Sequence, residues 1–203
     1  MSTNWEEWPL ARRYDHILSV MTNPRFLNKE GLNNEVPFFI CPFKVEETPE
    51  VNSLLVNLKK SLKESGIHIL EINLYDIAIA LLKEREIWDQ IIEDETEYQK
   101  DELFELFSGV LDAEEYLVPE IARRMEKEPF DILFITGVGE VFPYIRSSHL
   151  LENLQSTAKE KPTVLFFPGQ YQFNVERGAH LVLFDQMASD RYYRAYCIFD
   201  SVV

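Results

Sequence analysis

The sequence predicts an α/β fold: a mostly parallel sheet with helices on both faces, a three-layer architecture of the P-loop or Rossmann kind without a nucleotide motif, plus a helical insertion. Two observations carry this. Short runs such as residues 131–136 (DILFIT) and 162–167 (PTVLFF) are apolar almost throughout, as strands covered on both faces are. Between such runs, apolar residues recur at helical spacing. The 203 residues are 46% hydrophobic and 27% charged, which suits one globular domain over 1–203 and excludes a disordered chain.

Each element has its own signal. Tyr14, Ile17, Leu18 and Met21 form a helical stripe that stops at Asn23, because the residue before Pro24 avoids the α region. Residues 36–41 (VPFFIC) read as a buried strand. Thr48-Pro49-Glu50 reads as a helix start, with Thr48 as N-cap and Pro49 in the first turn. Val51, Leu54, Leu55, Leu58 and Leu62 line that helix, and Gly66 closes it.

Residues 67–74 alternate as a second strand, and an Ile/Leu-rich helix is expected from about 76 to 92. Residues 93–101 form a charged turn. A further helix carries Leu103, Phe104, Phe107 and Leu111, and Pro119 kinks the next helix or begins a new one. Together 76–128 read as a helical insertion. The strand 131–136 runs into Gly137-Val138-Gly139-Glu140 and a helix with Ile145, Arg146, Leu150, Leu151 and Leu154. The strand 162–167 is expected to end at Pro168-Gly169. Residues 181–184 and 192–199 supply two last strands, which could pair as a hairpin.

Acids outnumber bases 35 to 20, giving a net charge of −15 and a pI near 4.7. Phosphate backbones and anionic membranes repel such a chain, so no direct nucleic-acid contact is expected and a protein partner is. No apolar run approaches the roughly 18 residues of a membrane span. The N-terminal residues are polar and acidic rather than leader-like. Cys41 and Cys197 sit in apolar strands with no CxxC spacing, so buried thiols and a cytoplasmic setting are expected.

The turn Gly137–Glu140 follows a strand, where open α/β sheets bind ligands. It could be a degenerate nucleotide-binding module. However, Phe142 stands where a dinucleotide fingerprint needs its third glycine, and no Gly-Lys-Ser/Thr triplet occurs. Glu140 also places a carboxylate where a phosphate would sit. Asp76, Glu140 and Asp185 follow predicted strands and could converge on Mg²⁺, as a metal-dependent phosphodiesterase requires. Asp131 lies at the opposite strand end. His16, His68, His149 and His180 have no zinc-pair spacing. Ser147-Ser148-His149 points its side chains apart, and no GxSxG elbow exists. Tyr192, Arg194 and Tyr196 alternate on one strand face, the residue types that anchor protein interfaces. With Glu140 and Arg146 they are the candidate partner-binding residues. Arg146 is expected either to pair with a nearby acid or to be exposed as a partner contact. No catalytic residue, metal or cofactor is assigned.

Several stretches together resemble one family. They are Pro24-Arg25-Phe26-Leu27 with 31–38 (GLNNEVPF), 131–155 (DILFITGVGEVFPYIRSSHLLENLQ), 161–171 (KPTVLFFPGQY) and 192–196 (YYRAY). The chain is similar, from about Tyr14 onward, to the BrxB proteins of BREX bacteriophage-exclusion systems. That resemblance implies a bacterial cytoplasmic, non-enzymatic subunit that contacts other BREX components, of the PglZ, BrxC or PglX kind. It carries over no catalytic residues. A homodimer through the edge strand 192–199 is left open.

Overall fold

In the computed structural model, which describes residues 4–30, 37–94, 96–174, 178–189 and 195–201, the apolar runs form a parallel sheet. Its order is β2 (Ile69–Asn73), β3 (Ile132–Thr136), β4 (Thr163–Asn174), β1 (Phe38–Phe43) and β7 (Tyr196–Cys197). Successive side chains of a strand point to opposite faces, so an all-apolar strand needs cover on both. Phe39, Cys41, Phe134, Val164 and Phe166 bury one face against α1 (Leu10–Thr22) and α3 (Thr48–Glu64). Phe38, Ile40, Leu133, Ile135 and Phe167 bury the other against α4 (Leu74–Glu84), α7 (Val118–Met125) and α8 (Ser147–Leu154). The three layers are those the sequence predicts. Each fully buried Leu, Ile or Phe contributes about 1.5–3 kcal/mol to holding them together.

The α3 stripe of Val51, Leu54, Leu55, Leu58 and Leu62 is buried as its spacing predicts. Gly66 takes φ +78°, and the Gly66 and Ile67 amides donate to the Lys63 and Leu62 carbonyls, a left-handed cap. At the other end, Thr48 is the first helical residue rather than the N-cap. Its hydroxyl donates to the Val45 carbonyl at 2.6 Å, across a 3₁₀ turn, Val45–Glu47.

Residues 76–128 supply most of the crossover from β2 to β3. The expected helix over 76–92 is two helices, α4 and α5 (Trp88–Asp94). They break at Glu86, which takes φ +60° with no glycine to announce it. Next come α6 (Lys100–Val110), a single π turn (Ala113–Leu117) and α7, with Pro119 in its first turn. Pro119 therefore stands at a new start rather than in a kink. The helix after the glycine turn begins only at Ser147; Ile145 and Arg146 precede it. Pro143 cannot donate to a helical ladder, and the chain from Gly137 to Arg146 forms turns instead.

Strand β4 does not end at Pro168-Gly169. It passes through both and leaves the parallel sheet to pair antiparallel with β5 (Gly178–Leu183), which pairs with β6 (Met187–Ala188). Gly169 makes this crossing possible. It takes φ +146°, and a Cβ there would lie 2.1 Å from the Val182 carbonyl oxygen. Among the described residues, which leave out 190–194, the expected hairpin between 181–184 and 192–199 is thus not formed. β5 pairs with β4, while β7 runs parallel to β1 at the sheet edge, with Phe39 opposite Tyr196. β7 has two residues, and Ile198–Asp200 turn away as a 3₁₀ helix.

Candidate functional site

The carboxyl ends of β1 and β3 and the middle of β4, where it leaves the parallel ladder, meet at a crevice of about 190 Å³. This is the position at which an open α/β sheet presents ligands, because connections from neighbouring strands depart to opposite faces. Here β1 leads to α3 on one face and β3 leads to α8 on the other. Phe43, Val51, Leu55, Phe166 and Phe184 give the crevice apolar walls, and Thr48, Asn52 and Thr136 add polar ones. The turn Gly137–Glu140 also lines it, closed by the Glu140 amide donating to the Gly137 carbonyl at 3.1 Å.

The two glycines of that turn are explained by the protein's own side chains. Gly137 takes φ +74°, and a Cβ there would approach Asn73 Oδ1 to 2.7 Å. Asn73 is fixed in turn, since the same oxygen accepts the Tyr75 and Asp76 amides at the start of α4. A Cβ on Gly139 would lie 2.9 Å from the Phe184 ring and 3.1 Å from Pro168. Close internal approach therefore accounts for the GxG pattern without a phosphate. Beneath the rim, the Thr136 hydroxyl donates to Glu71 Oε1 at 3.1 Å, and Lys59 donates to the other Glu71 oxygen.

The carboxylates suspected of metal binding do not assemble. Asp76 lies exposed in the first turn of α4, Glu140 lies exposed at the crevice lip, and Asp185 lies exposed in the turn after β5. Among the described residues, no three His, Cys, Asp or Glu side chains gather where a metal ion could be held.

The partner-binding candidates also fall apart spatially. Glu140 lines the crevice. Arg146 is exposed at the N-cap position of α8 and, among the described residues, makes no ion pair; it lines a different cavity of about 240 Å³ with Phe142, His149 and Met187. Tyr196 lies half-buried on β7, its ring centroid 5.9 Å from that of Phe39, beside a third groove. Tyr192 and Arg194 lie outside the described residues. Tyr171 spans from β4 to this edge, its hydroxyl donating to the Ala195 carbonyl at 2.9 Å.

One electrostatic feature of the turn that borders the crevice through Val45 and Thr48 is absent from the sequence-based set. Arg13 of α1 is buried and grips Glu47, in the 3₁₀ turn after β1. The hydrogen bonds from Arg13 hold the Glu47 carboxyl below the usual carboxylate range, although partial burial opposes them. The signal was present. Arg13 shares its helical stripe with Ile17, Val20 and Met21, and a charge on an apolar stripe requires a partner.

The chain matches the family model described as "BREX protein BrxB" over residues 70–198. It is 34% identical over 195 residues to a "BREX protein BrxB" of Bacillus cereus (strain H3081.97), covering 94% of this chain and 98% of the relative. It is 27% identical over 187 residues to a "BREX protein BrxB" of Escherichia coli O9:H4 (strain HS), covering 92% and 90% respectively. No solved structure is significantly similar to it.

Proposed function

The chain belongs to the BrxB family of BREX phage-defence systems, and from that premise we propose that it is a non-enzymatic subunit which acts by binding other BREX proteins. The single observation that supports this reading is the state of the crevice. Where a nucleotide-binding protein of this architecture would cradle phosphate, Asn73, Phe184 and Pro168 lie against the two glycines, and among the described residues no lysine lines the space. The charged side chain that lines it, Glu140, is a carboxylate and disfavours an anion there. The net charge of −15 supports the same reading from a second direction. It disfavours nucleic acid and favours proteins with basic surfaces.

The partners on this reading are the PglZ-, BrxC- or PglX-like components of the same system. Direct DNA contact is left to them. The test is co-purification. The tagged full chain, expressed with the whole gene cluster, is expected to retain at least one BREX protein at moderate salt. Recovery of the chain alone, or tight binding of the isolated chain to DNA, would overturn the reading.

A further inference from the structure

Helix α6 is an amphipathic helix without a complete partner. It has 11 residues, and of its apolar side chains only Val110 is buried. Leu103, Leu106 and Phe107 touch the core with their inner edges and keep their outer surfaces in solvent, and Phe104 is 39% exposed. Phe104 and Phe107 both contact the half-buried Tyr144 ring, at centroid distances of 5.9 and 4.9 Å. A helix this short is marginal alone and owes its stability to packing. Among the described residues its outward apolar surface is left partly bare.

The surroundings of that face say what fits it. Residues 84–115 hold 13 of the 35 acids and, among bases, only Arg85 and Lys100, so this stretch carries −11 of the −15 net charge. Asp101, Glu102 and Glu105 stand exposed on α6 itself. Where α5 gives way to α6, a depression of about 450 Å³ is lined by Asp94, Glu97, Tyr98 and Glu102. Ile92, 56% exposed, adds a further apolar side chain on α5.

We infer that the outer face of α6 is a docking site for a cationic segment of a partner protein that carries apolar anchors among its lysines and arginines. This rests on the protein-binding reading above and locates it. Aromatic and aliphatic side chains in the middle of the face supply the desolvated contact, and the acidic border supplies orientation and attraction. A second copy of this chain is a poor occupant, because it would bring the same concentrated negative charge to the same border. Nucleic acid is a poorer one for the same reason.

The test uses the full chain, tagged and co-expressed with the other proteins of its cluster, in three forms. They are the wild type, an α6 variant (Asp101→Lys, Phe104→Ser, Glu105→Lys) and a control changed equally on an exposed face of α3 (Glu50→Lys, Val56→Ser, Glu64→Lys). The wild type is expected to recover an identified BREX protein, less so as salt rises. The α6 variant is expected to recover about tenfold less of it or lower, with an unchanged melting temperature, while the control matches wild type. A milder pair, Asp101→Asn with Glu105→Gln, is expected to weaken recovery in the same direction and serves if the first variant melts early. Undiminished recovery by the α6 variants, or equal loss in the control, overturns this surface while leaving the protein-binding reading intact. A wild type that recovers no BREX protein overturns that reading itself. An α6 variant that changes only sedimentation, with BREX recovery intact, would mark the face as a contact between copies and overturn the assignment.

Discussion

Arg13 and Glu47, 34 residues apart, form a two-pronged ion pair: Nη1 donates to Oε2 at 2.7 Å and Nη2 to Oε1 at 2.5 Å. The pair ties α1 to the turn that launches α3. Glu47 Oε2 also accepts the Lys44 amide at 3.2 Å, so one carboxylate organises the whole corner. Arg13 is only 4% exposed, and its guanidinium lies 5.7 Å from the Trp5 ring. Removing one partner leaves a buried charge uncompensated. Glu47→Gln is expected to lower stability in urea unfolding by about 2–4 kcal/mol. Adding Arg13→Met to that variant is expected to restore most of the loss, because the replacement pairs shape without charge. A double variant as unstable as the single one would show that the corner depends on Arg13 in another way.

Stability is expected to fall in acid for an identifiable reason. The Glu47 carboxyl is held below its ordinary value of 4.5. Glu120 is held below it too; burial pushes its carboxyl up, but hydrogen bonds from Arg123 and Arg124 outweigh that. A carboxyl with a depressed folded-state value stabilises the protein above its unfolded value and loses that contribution as pH falls through the folded one. The melting temperature is therefore expected to change little from neutrality down to about pH 5 and to fall steeply below 4.5. In Glu47→Gln the acid limb is expected to flatten. An unchanged acid limb in that variant would remove Glu47 from the account.

Gly137→Ala tests whether the glycine turn is structural. It places a side chain at positive φ and against the Asn73 oxygen that caps α4. A loss of about 1–3 kcal/mol is expected from the backbone alone. The midpoint of urea unfolding should shift down, with no change in the heat signal on titrating ATP. A variant as stable as wild type would show that the turn does not need glycine.

The two thiols are expected to be inert in the folded chain. Burial raises the Cys41 thiol far above its ordinary value, and the neighbouring Cys197 raises it further. Burial pushes Cys197 up to about 12. A thiolate is the reactive form, so a chromogenic disulfide reagent at pH 8 should label neither cysteine until denaturant is added. Rapid labelling of one equivalent without denaturant would contradict this packing.

The layered fold was legible because its signals are redundant. In β1 and β3 every residue is apolar or buried, so burial on both faces follows without knowing the register. Gly66 announces its own cap. The misread places are those where one residue does something its type does not advertise. Glu86 adopts a left-handed conformation that splits the expected helix. Gly169 looks like a strand terminator, yet it is the point where β4 passes from one ladder to another. The hairpin error follows from that, since β5 finds its partner in the part of β4 that a Pro-Gly pair seems to forbid. Of the candidate site residues, position relative to strand ends was legible for Glu140. Which side chains share a cavity depends on how connections cross the sheet rim, and no local pattern records that. The α6 face was visible as a helical repeat of Leu103, Phe104 and Phe107, but only packing reveals that the repeat is left partly bare.

One strand, β4, serves two ladders in succession. Thr163 to Leu165 is hydrogen-bonded between β1 and β3, and Gly169 to Asn174 continues without interruption into the arm made with β5. The arm therefore shares its backbone with a central strand, the change of ladder falling at Gly169. Phe173, exposed near the outer end of the arm, is thus joined by a single strand to the middle of the sheet, where β4 lies between β1 and β3.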